Sequence, residues 1–399
     1  MSTQLLLTYD FPPMGGGIAR MMGELARRYP PGTLVVSTGR YDGGPEVDAG
    51  FANVVDRTGV VSARLRTLQG LLAWSRRAAG LARSVHPEFV WCGNLKPAGY
   101  PARWVRQRVG TPYGILFYGT DLLLLQRRIR RSAVKRQTAR ALIGWAAVLV
   151  AISRWTRDLC LSVVEELGVD HGRLDLRTVP LGTDPARFRP NIDPSSVRAR
   201  YGLDRGRWLL SVARLTPHKG IDTGLRVLAR LRERYPDLGY AVVGSGEQLP
   251  ALQAMARSLG VADRVRFLTA VPDSDLPGLY NCAEIYCGLS RVTREAAEGF
   301  GISLVEAAAS GVPVVAGRSG GVPDAVHEGE TGLLVDSEQP DEVCGALQSL
   351  LDDRAFAGRL GAAGRRAVET YYNWDRVTAD LAGIGHEIGT RIRTEVAHP

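Results

Sequence analysis

The sequence contains few cysteines and no long apolar segment. Its five cysteines show neither Cys-x-x-Cys spacing nor a neighbouring pair of histidines, which argues against a disulfide framework and against a zinc site. The longest nearly apolar run, residues 141–153, is shorter than the ~20 residues that a membrane-spanning helix requires. The N-terminal residues lack the basic start and the small-residue cleavage site of a secretory signal. These absences predict a cytoplasmic protein.

Positive charge is concentrated in the N-terminal half. The formal net charge is +9, and residues 1–184 carry 25 Lys and Arg against 14 Asp and Glu, which indicates an anionic partner for this half. Residues 122–131 join an apolar run to clustered arginines, as is typical of a helix on the anionic inner face of the plasma membrane; an ordinary solvated helix face is the alternative. Nucleic acid is not an expected partner, because no recognition motif accompanies the charge. The predicted membrane or acceptor patch comprises Arg127, Arg128, Arg130, Arg131 and Lys135.

Short apolar runs alternate with helical patterns along almost the whole chain, which predicts parallel βαβ units and an α/β fold. The strands are predicted at residues 4–9, 33–38, 88–92, 113–118, 147–152 and 177–180, and in a second series at 208–213, 239–243, 265–270, 284–289, 312–316 and 333–335. The helices of the first series are predicted at residues 18–28, 62–84, 98–108, 127–145 and 154–167.

Two such series predict two doubly wound domains that face each other across a cleft, where ligands bind at the carboxyl ends of the strands. The predicted domains are an N-terminal domain of residues 1–187, a C-terminal domain of residues 188–370, and a helical tail of residues 371–399 that returns to the N-terminal domain.

The segment 294–316 contains the most informative motif of the chain. Two glutamates, Glu298 and Glu306, are separated by seven residues, and a glycine-containing loop between them leads into a helix. The free N–H groups at such a helix start suit an anion, while a carboxylate suits sugar hydroxyls. Ser303 and Glu306 also have the spacing of a capping box, which needs no ligand. Glu298 has no such alternative role.

This motif resembles the signature of the retaining glycosyltransferase family 4. The resemblance extends in order through residues 11–18, 180–190, 211–220, 242–246 and 319–324. It implies the GT-B fold, with two facing Rossmann-like domains, and transfer of a hexose with retention from a nucleoside diphosphate sugar to a hydroxyl acceptor. The start of the chain and residues 291–325 are most similar to mannosyltransferases that act on phosphatidylinositol mannosides.

The second domain supplies most of the candidate donor site. Arg214 and Lys219 follow its first strand, where two cations can neutralise a diphosphate, although a solvated loop pair is the alternative reading. The resemblance implies that Glu298 binds hydroxyls of the donor sugar and that Glu306 binds the ribose. The candidate donor-binding residues are Gly15, Gly16, Gly17, Gly244, Phe300, Gly301, Ile302, Ser303, Leu304, Val305 and Glu306.

No metal and no resident cofactor are expected, because the nucleotide sugar is itself the substrate. Residues 273–275 have the Asp-x-Asp spacing of a metal motif, but they lie in a proline-flanked loop before a helix and are interpreted as a helix cap.

One position departs from the family pattern. Relatives often place a histidine that contacts the transferred sugar where this chain has Tyr118. A tyrosine donates a hydrogen bond but cannot act as a base at neutral pH. Three interpretations are open: Tyr118 binds a different sugar, Asp121 carries more of the recognition, or Tyr118 is a core residue at a strand end. The donor sugar (mannose, glucose or N-acetylglucosamine), its base and the acceptor are therefore left open, although a phospholipid headgroup suits the basic patch.

Two other functions compete with transfer. A Rossmann-type oxidoreductase or epimerase would need Gly-x-Gly-x-x-Gly after the first strand, and residues 15–20 lack that spacing. A non-catalytic member of the same fold that only binds sugar nucleotides is the other alternative, and the presence of both Glu298 and Glu306 argues against it.

Overall fold

The computed structural model describes residues 2–170, 172 and 174–397. The chain forms two compact units: the first joins the residues up to Val179 with those from Trp374 onward, and the second is Pro180–Asn373. None of the helices in the described part of the chain is long and apolar enough to cross a bilayer.

The first unit contains a parallel seven-stranded sheet in the order β3-β2-β1-β4-β5-β6-β7. Most of its central strands are buried along their whole length because helices cover both faces. The strands are β1 (Gln4–Leu7), β2 (Leu34–Arg40), β3 (Val54–Val61), β4 (Phe89–Cys92), β5 (Tyr113–Phe117), β6 (Val148–Ala151) and β7 (Asp175–Thr178). The helices between them are α1 (Gly17–Arg28), α2 (Gly44–Asp48), α3 (Leu68–Val85), α4 (Gly99–Val109), α5 (Thr120–Arg130), α6 (Ala133–Ile143) and α7 (Arg154–Leu167).

The second unit contains a parallel six-stranded sheet in the order β10-β9-β8-β11-β12-β13, so the strand order reverses between β8 and β11. Its strands are β8 (Arg207–Val212), β9 (Leu238–Val243), β10 (Val265–Leu268), β11 (Ile285–Gly288), β12 (Val314–Gly317) and β13 (Leu333–Val335). Its helices are α8 (Ser195–Tyr201), α9 (Ile221–Leu231), α10 (Leu249–Ser258), α11 (Leu276–Cys282), α12 (Ile302–Ala309), α13 (Pro340–Asp352) and α14 (Arg354–Thr370). Ligands of such sheets bind where the order reverses, beyond the carboxyl ends of the strands.

The last helix, α15 (Trp374–Ala397), packs against α1 and β4 of the first unit. A buried carboxylate anchors it: Glu88, only 3% exposed, lies 3.0 Å from His386 Nδ1 and 3.3 Å from an Arg393 nitrogen. The Gln4 amide also donates to the Ala382 carbonyl at 2.9 Å. The C-terminal helix is therefore part of the first unit.

Several elements of the first unit differ from the sequence predictions. Strand β3 and helix α2 were not predicted. The helix predicted at 62–84 consists of a 3-10 turn, Ser62–Arg66, followed by α3, whose start is capped by the Thr67 side chain. The helix predicted at 127–145 is two helices, because Ser132 adopts an extended conformation and its hydroxyl caps α6 through the Lys135 N–H.

Candidate functional site

The candidate donor site lies at the carboxyl ends of β8 and β11, around the start of α12. A small recess there is lined by Ser211–Ala213 and by Lys219, Glu298, Ser303 and Leu304. The fold of the second unit thus brings together residues that were predicted from two separate motifs. No side chain caps the start of α12, so its first N–H groups can serve an anion, except that of Leu304, which donates to the Gly301 carbonyl at 2.9 Å.

The capping-box interpretation of Ser303 and Glu306 is wrong. Gly301 occupies the N-cap position of α12, with a φ of 102° that favours glycine, and it makes no side-chain cap. Ser303 is the second residue of the helix, so it cannot serve as the cap. Glu306 therefore needs another explanation for its burial, and it accepts a hydrogen bond of 2.7 Å from the Tyr280 hydroxyl.

Glu298 forms an ion pair with Lys219, and the Ser290 hydroxyl lies 3.4 Å from the same carboxylate oxygen. Burial alone would raise the pKa of Glu298, but the charge and the hydrogen bond of Lys219 hold that pKa below its ordinary value. Glu298 is therefore ionised at neutral pH and able to accept hydrogen bonds. Glu298 and Lys219 were predicted as site residues from two different motifs, and they are 79 positions apart in the chain. The fold places these two residues in direct contact.

His218 precedes Lys219 and is 8% exposed. Burial, followed by the charge of Lys219, lowers its pKa to about 4, and the charge of Arg214 acts in the same direction. The imidazole is therefore neutral at pH 7, and its Nδ1 lies 3.2 Å from the Thr216 hydroxyl. Arg214 is exposed, so its guanidinium is accessible to a ligand.

Three of the candidate donor-binding residues after Glu298 offer only their backbone to a ligand. Phe300, Leu304 and Val305 are each at most 3% exposed, so their side chains belong to the core. The loop is fixed from behind: Gly321 donates to the Glu298 carbonyl at 2.8 Å, and a Cβ at Gly320 would lie 2.2 Å from that oxygen. This close approach leaves no room for a side chain at position 320.

The carboxylates of Asp273 and Asp275 are each paired with an arginine. Asp273 accepts from Arg187 at 2.6 Å, while Asp275 accepts from Arg200 at 2.6 Å and from the Tyr201 hydroxyl at 2.7 Å. Asp275 occupies the N-cap position of α11, as the helix-cap interpretation expects, although its side chain makes no cap bond. Within the described ranges, no group of His, Cys, Asp and Glu has a metal-binding arrangement.

In the first unit, the predicted Gly15–Gly17 loop connects β1 to α1. A Cβ at Gly15 or Gly16 would meet nothing within 4 Å, so this backbone is open to a ligand. Sequence reasoning missed Arg57, which stabilises the loop from β3: it donates to the Pro12 carbonyl at 2.6 Å and forms a two-point ion pair with Asp48. Because β3 was not predicted, no pattern pointed to this arginine.

Tyr118 directly follows β5 and is half-buried. Its hydroxyl donates to the Gly93 carbonyl at 2.7 Å, and its N–H donates to Asp121 Oδ1 at 3.0 Å. Burial, and after it the charge of Asp121, raises the pKa of Tyr118 far above its ordinary value. These contacts are those of a structural tyrosine at a strand end, which was one of the three interpretations; sugar binding by Tyr118 stays a prediction.

Asp121 is the second residue of α5. Its Oδ1 accepts from the backbone of the preceding turn, whereas its buried Oδ2 has no hydrogen-bond partner among the described residues. Burial raises the pKa of Asp121 to about 6, although several backbone N–H groups act against this rise. Asp121 therefore orders the turn that carries Tyr118, and direct recognition of sugar by Asp121 stays a prediction.

Asp121→Asn should remove a pH dependence of stability. Because the pKa of Asp121 is about 6 rather than its ordinary 3.8, the native protein holds this proton more tightly than the unfolded chain does. The free energy of unfolding should therefore fall as the pH rises between these two values. Urea unfolding at acidic and neutral pH should show a smaller fall in Asp121→Asn, which should be about 1–2 kcal/mol more stable than wild type at neutral pH.

The matched control is Asp158→Asn, which alters a carboxylate whose side chain is 72% exposed. This control should unfold with the pH dependence of the wild type. An unchanged pH dependence in Asp121→Asn would show that another group is responsible.

The predicted basic patch spans α5, α6 and the turn between them, and its members differ in environment. Arg130 forms a two-point ion pair with Glu166, at 2.8 and 3.0 Å, and so contributes little net charge. Burial lowers the pKa of Lys96, and the charges of Arg128 and Lys135 lower it further. The exposed apolar side chains Leu124 and Val134 lie on the same two helices.

A family model described as "Glycosyl transferases group 1" matches residues 197–367. The GDP-mannose-dependent alpha-(1-6)-phosphatidylinositol monomannoside mannosyltransferase of Mycolicibacterium smegmatis is 34% identical over 390 residues, which cover 95% of this chain and 97% of that enzyme. The chain belongs to the group 1 glycosyltransferases. The enzyme of the same description from Mycobacterium tuberculosis is 33% identical over 397 residues, covering 96% and 97% of the two chains. The predicted resemblance is thereby confirmed.

Solved structures confirm the predicted GT-B fold of this glycosyltransferase. HepE of Anabaena, crystallised with UDP and glucose, superimposes with a TM-score of 0.76 at 18% identity, covering 96% of this chain and 99% of HepE. Sucrose-phosphate synthase of Thermosynechococcus elongatus gives 0.74 at 19% identity, covering 98% and 100%. The alternative of an oxidoreductase or epimerase finds no support in these comparisons.

Proposed function

We propose that this glycosyltransferase moves mannose from GDP-mannose to a hydroxyl of an anionic acceptor, with retention at the anomeric carbon and without a metal ion. The observation that carries the proposal is the contact between Lys219 and Glu298 beside the uncapped start of α12. The choice of mannose and guanine rests on the relatives at 33–34% identity, whose descriptions name GDP-mannose. Retention rests on the resemblance to family 4.

The diphosphate is placed between cations and a helix start. Arg214, Lys219 and the first N–H groups of α12 neutralise the charge that grows on the phosphate oxygen as the glycosidic bond breaks. Glu298 accepts hydrogen bonds from hydroxyls of the donor sugar, and Glu306 accepts them from the ribose. The acceptor hydroxyl attacks on the face from which the diphosphate departs, and the departing phosphate oxygen takes its proton. No protein base is then required.

The ion pair between Lys219 and Glu298 bears on how the donor binds. In this pair each side chain neutralises the charge of the other. When the donor binds, the ammonium contacts the diphosphate and the carboxylate contacts the sugar. Each charge therefore keeps a partner in both states, which avoids leaving a buried charge unpaired.

A donor panel tests the proposal. We expect GDP-mannose to raise the unfolding temperature more than UDP-glucose or UDP-N-acetylglucosamine, because a ligand at 100 times its Kd adds about 2.7 kcal/mol to the free energy of unfolding. Release of GDP in the presence of acceptor should persist in EDTA. A larger shift with a UDP-sugar would contradict the choice of donor, and loss of turnover in EDTA would contradict metal independence.

The acceptor is proposed to be an anionic lipid headgroup, with the patch on α5 and α6 lying at the membrane surface. The charge-reversed variant Arg128→Glu/Arg131→Glu/Lys135→Glu should lose sedimentation with anionic vesicles, because each basic residue near such a surface contributes about 1 kcal/mol. Wild-type protein should sediment at low salt and stay in the supernatant at high salt.

A matched control reverses three exposed arginines of the second unit, Arg205, Arg257 and Arg354, which changes the net charge equally. This control should sediment like the wild type. Equal sedimentation of the patch variant and the wild type, or sedimentation with neutral vesicles alone, would contradict the electrostatic proposal.

A further inference from the structure

Glu306 is held by a residue that no motif indicated. The carboxylate lies on α12 with only 2% of the residue exposed, and its Oε2 accepts a 2.7 Å hydrogen bond from the Tyr280 hydroxyl. Tyr280 belongs to α11, 26 positions earlier in the chain, and is fully buried. A hydrogen bond to an ionised group inside a protein is shorter and stronger than one between neutral groups. The pair therefore links two helices through one carboxylate.

The ring of Tyr280 has little freedom to move. Phe188 packs edge-on against it, with ring centroids 5.6 Å apart and an interplanar angle of 85°. Tyr286 contacts the ring at a centroid distance of 5.7 Å. The hydroxyl of Tyr286 donates to the Val212 carbonyl at 3.2 Å, which holds this neighbouring ring in place. The Tyr280 hydroxyl is consequently a fixed point for the Glu306 carboxylate.

We infer that Tyr280 is a positioning residue for nucleotide recognition: it fixes the rotation of the Glu306 carboxylate so that this group accepts hydrogen bonds from the ribose diol. The inference rests on the proposed function, in which Glu306 binds the ribose. A carboxylate that binds two neighbouring hydroxyls must present both lone-pair directions in one plane, so rotation about its terminal bond weakens the contact. Tyr280 thus contributes to the preference for ribonucleotides without contacting the donor.

Tyr280→Phe removes the hydroxyl and keeps the ring. Titration calorimetry measures how tightly each protein binds GDP and 2′,3′-dideoxy-GDP, and in parallel UDP and 2′,3′-dideoxy-UDP. Comparing the two members of each pair separates the ribose contact from the contacts of the rest of the nucleotide. Wild type should bind the ribonucleotide about 100-fold more tightly than the dideoxy form, because the dideoxy form leaves a buried carboxylate without those partners. In Tyr280→Phe this ratio should fall about tenfold, through weaker binding of the ribonucleotide alone.

The matched control is Tyr235→Phe. Tyr235 is also a buried tyrosine of the second unit, and its hydroxyl donates to a carboxylate, Asp352, at 2.8 Å. This variant loses the same kind of bond away from the site, so it should keep the wild-type ratio. A second variant, Phe188→Leu, keeps the Tyr280 hydroxyl but removes support for its ring, and the ratio should fall by about threefold.

Three outcomes would overturn the inference. The first is an unchanged ratio in folded Tyr280→Phe and in Phe188→Leu. The second is equal weakening of ribonucleotide and dideoxynucleotide, which is the signature of a purely structural role. Both leave the proposed function standing, because wild type would still show the ribose preference. The third, wild type that binds neither GDP nor UDP, overturns the proposed function and the inference together.

Discussion

Lys219→Met is expected to lower kcat/KM for sugar transfer by about 10³-fold, because the cation that stabilises the departing diphosphate is removed. Stability should also fall. The side chains of Lys219 and Glu298 are only 17% and 18% exposed, so the variant leaves a mostly buried carboxylate without its charge partner. A loss of about 2–3 kcal/mol in the free energy of unfolding is expected. GDP release and urea unfolding measure the two effects.

The double variant Lys219→Met/Glu298→Gln separates the effect on activity from the effect on stability. Replacing the carboxylate by a neutral amide removes the unpaired charge, so most of the lost stability should return. Activity should not return, because both the diphosphate contact and the sugar contact are impaired. Glu298→Gln alone should lower kcat/KM by about 10²-fold or more.

Arg234→Met is the matched control for Lys219→Met. It breaks an ion pair of the same unit, with Asp352 at 2.7 Å, whose side chains are 60% and 45% exposed. Such an exposed pair contributes at most about 1 kcal/mol, so neither activity nor stability should change much. Near-normal turnover in Lys219→Met would remove Lys219 from the mechanism and with it the central support of the proposed function.

Gly244→Ala should destabilise the second unit by about 3 kcal/mol or more, with loss of donor binding. Gly244 follows β9 with a φ of 134°, a backbone conformation that residues with a side chain rarely adopt. A Cβ at this position would lie 1.9 Å from the Ala213 carbonyl oxygen. The backbone after β8 would have to move, and this is the segment that leads to Arg214 and Lys219. Thermal unfolding and GDP binding measure the two effects.

Gly345→Ala provides the comparison. Gly345 lies within α13, and a Cβ there would meet nothing within 4 Å, so the substitution should stabilise the protein by about 0.5–1 kcal/mol. A Gly244→Ala variant as stable as Gly345→Ala would show that the loop has room to adapt.

The alternation of apolar runs and helical patterns was enough to predict both parallel sheets. Buried parallel strands are apolar on both faces, and this leaves a continuous signal in the sequence. Strand β3 lies at the edge of its sheet, contains Asp56 and Arg57, and exposes Val54 and Val61 to 61% and 47%. A strand of that kind has neither a continuous apolar run nor a strict alternation. Strand β3 is recognised only from its pairing with β2 in the folded structure.

The sequence predicted those residues of the candidate site that form a pattern within one segment. It missed the residues that reach the site from distant parts of the chain. The spacing of Glu298 and Glu306 is a pattern within one segment. The partner of Glu306 is a single tyrosine on another helix, which has no signal of its own. The capping-box pattern misled because it takes no account of backbone conformation, and Gly301 with its positive φ starts the helix before Ser303.

The C-terminal helix α15 makes the first unit discontinuous in the chain. The second unit, Pro180–Asn373, is a single uninterrupted segment, so it could be expressed as an independent domain and tested for nucleotide binding. The first unit cannot be obtained by truncation after Val179, because that cut removes the helix whose His386 and Arg393 contact the buried Glu88. A shortened first unit would need a linker that joins Val179 directly to Trp374.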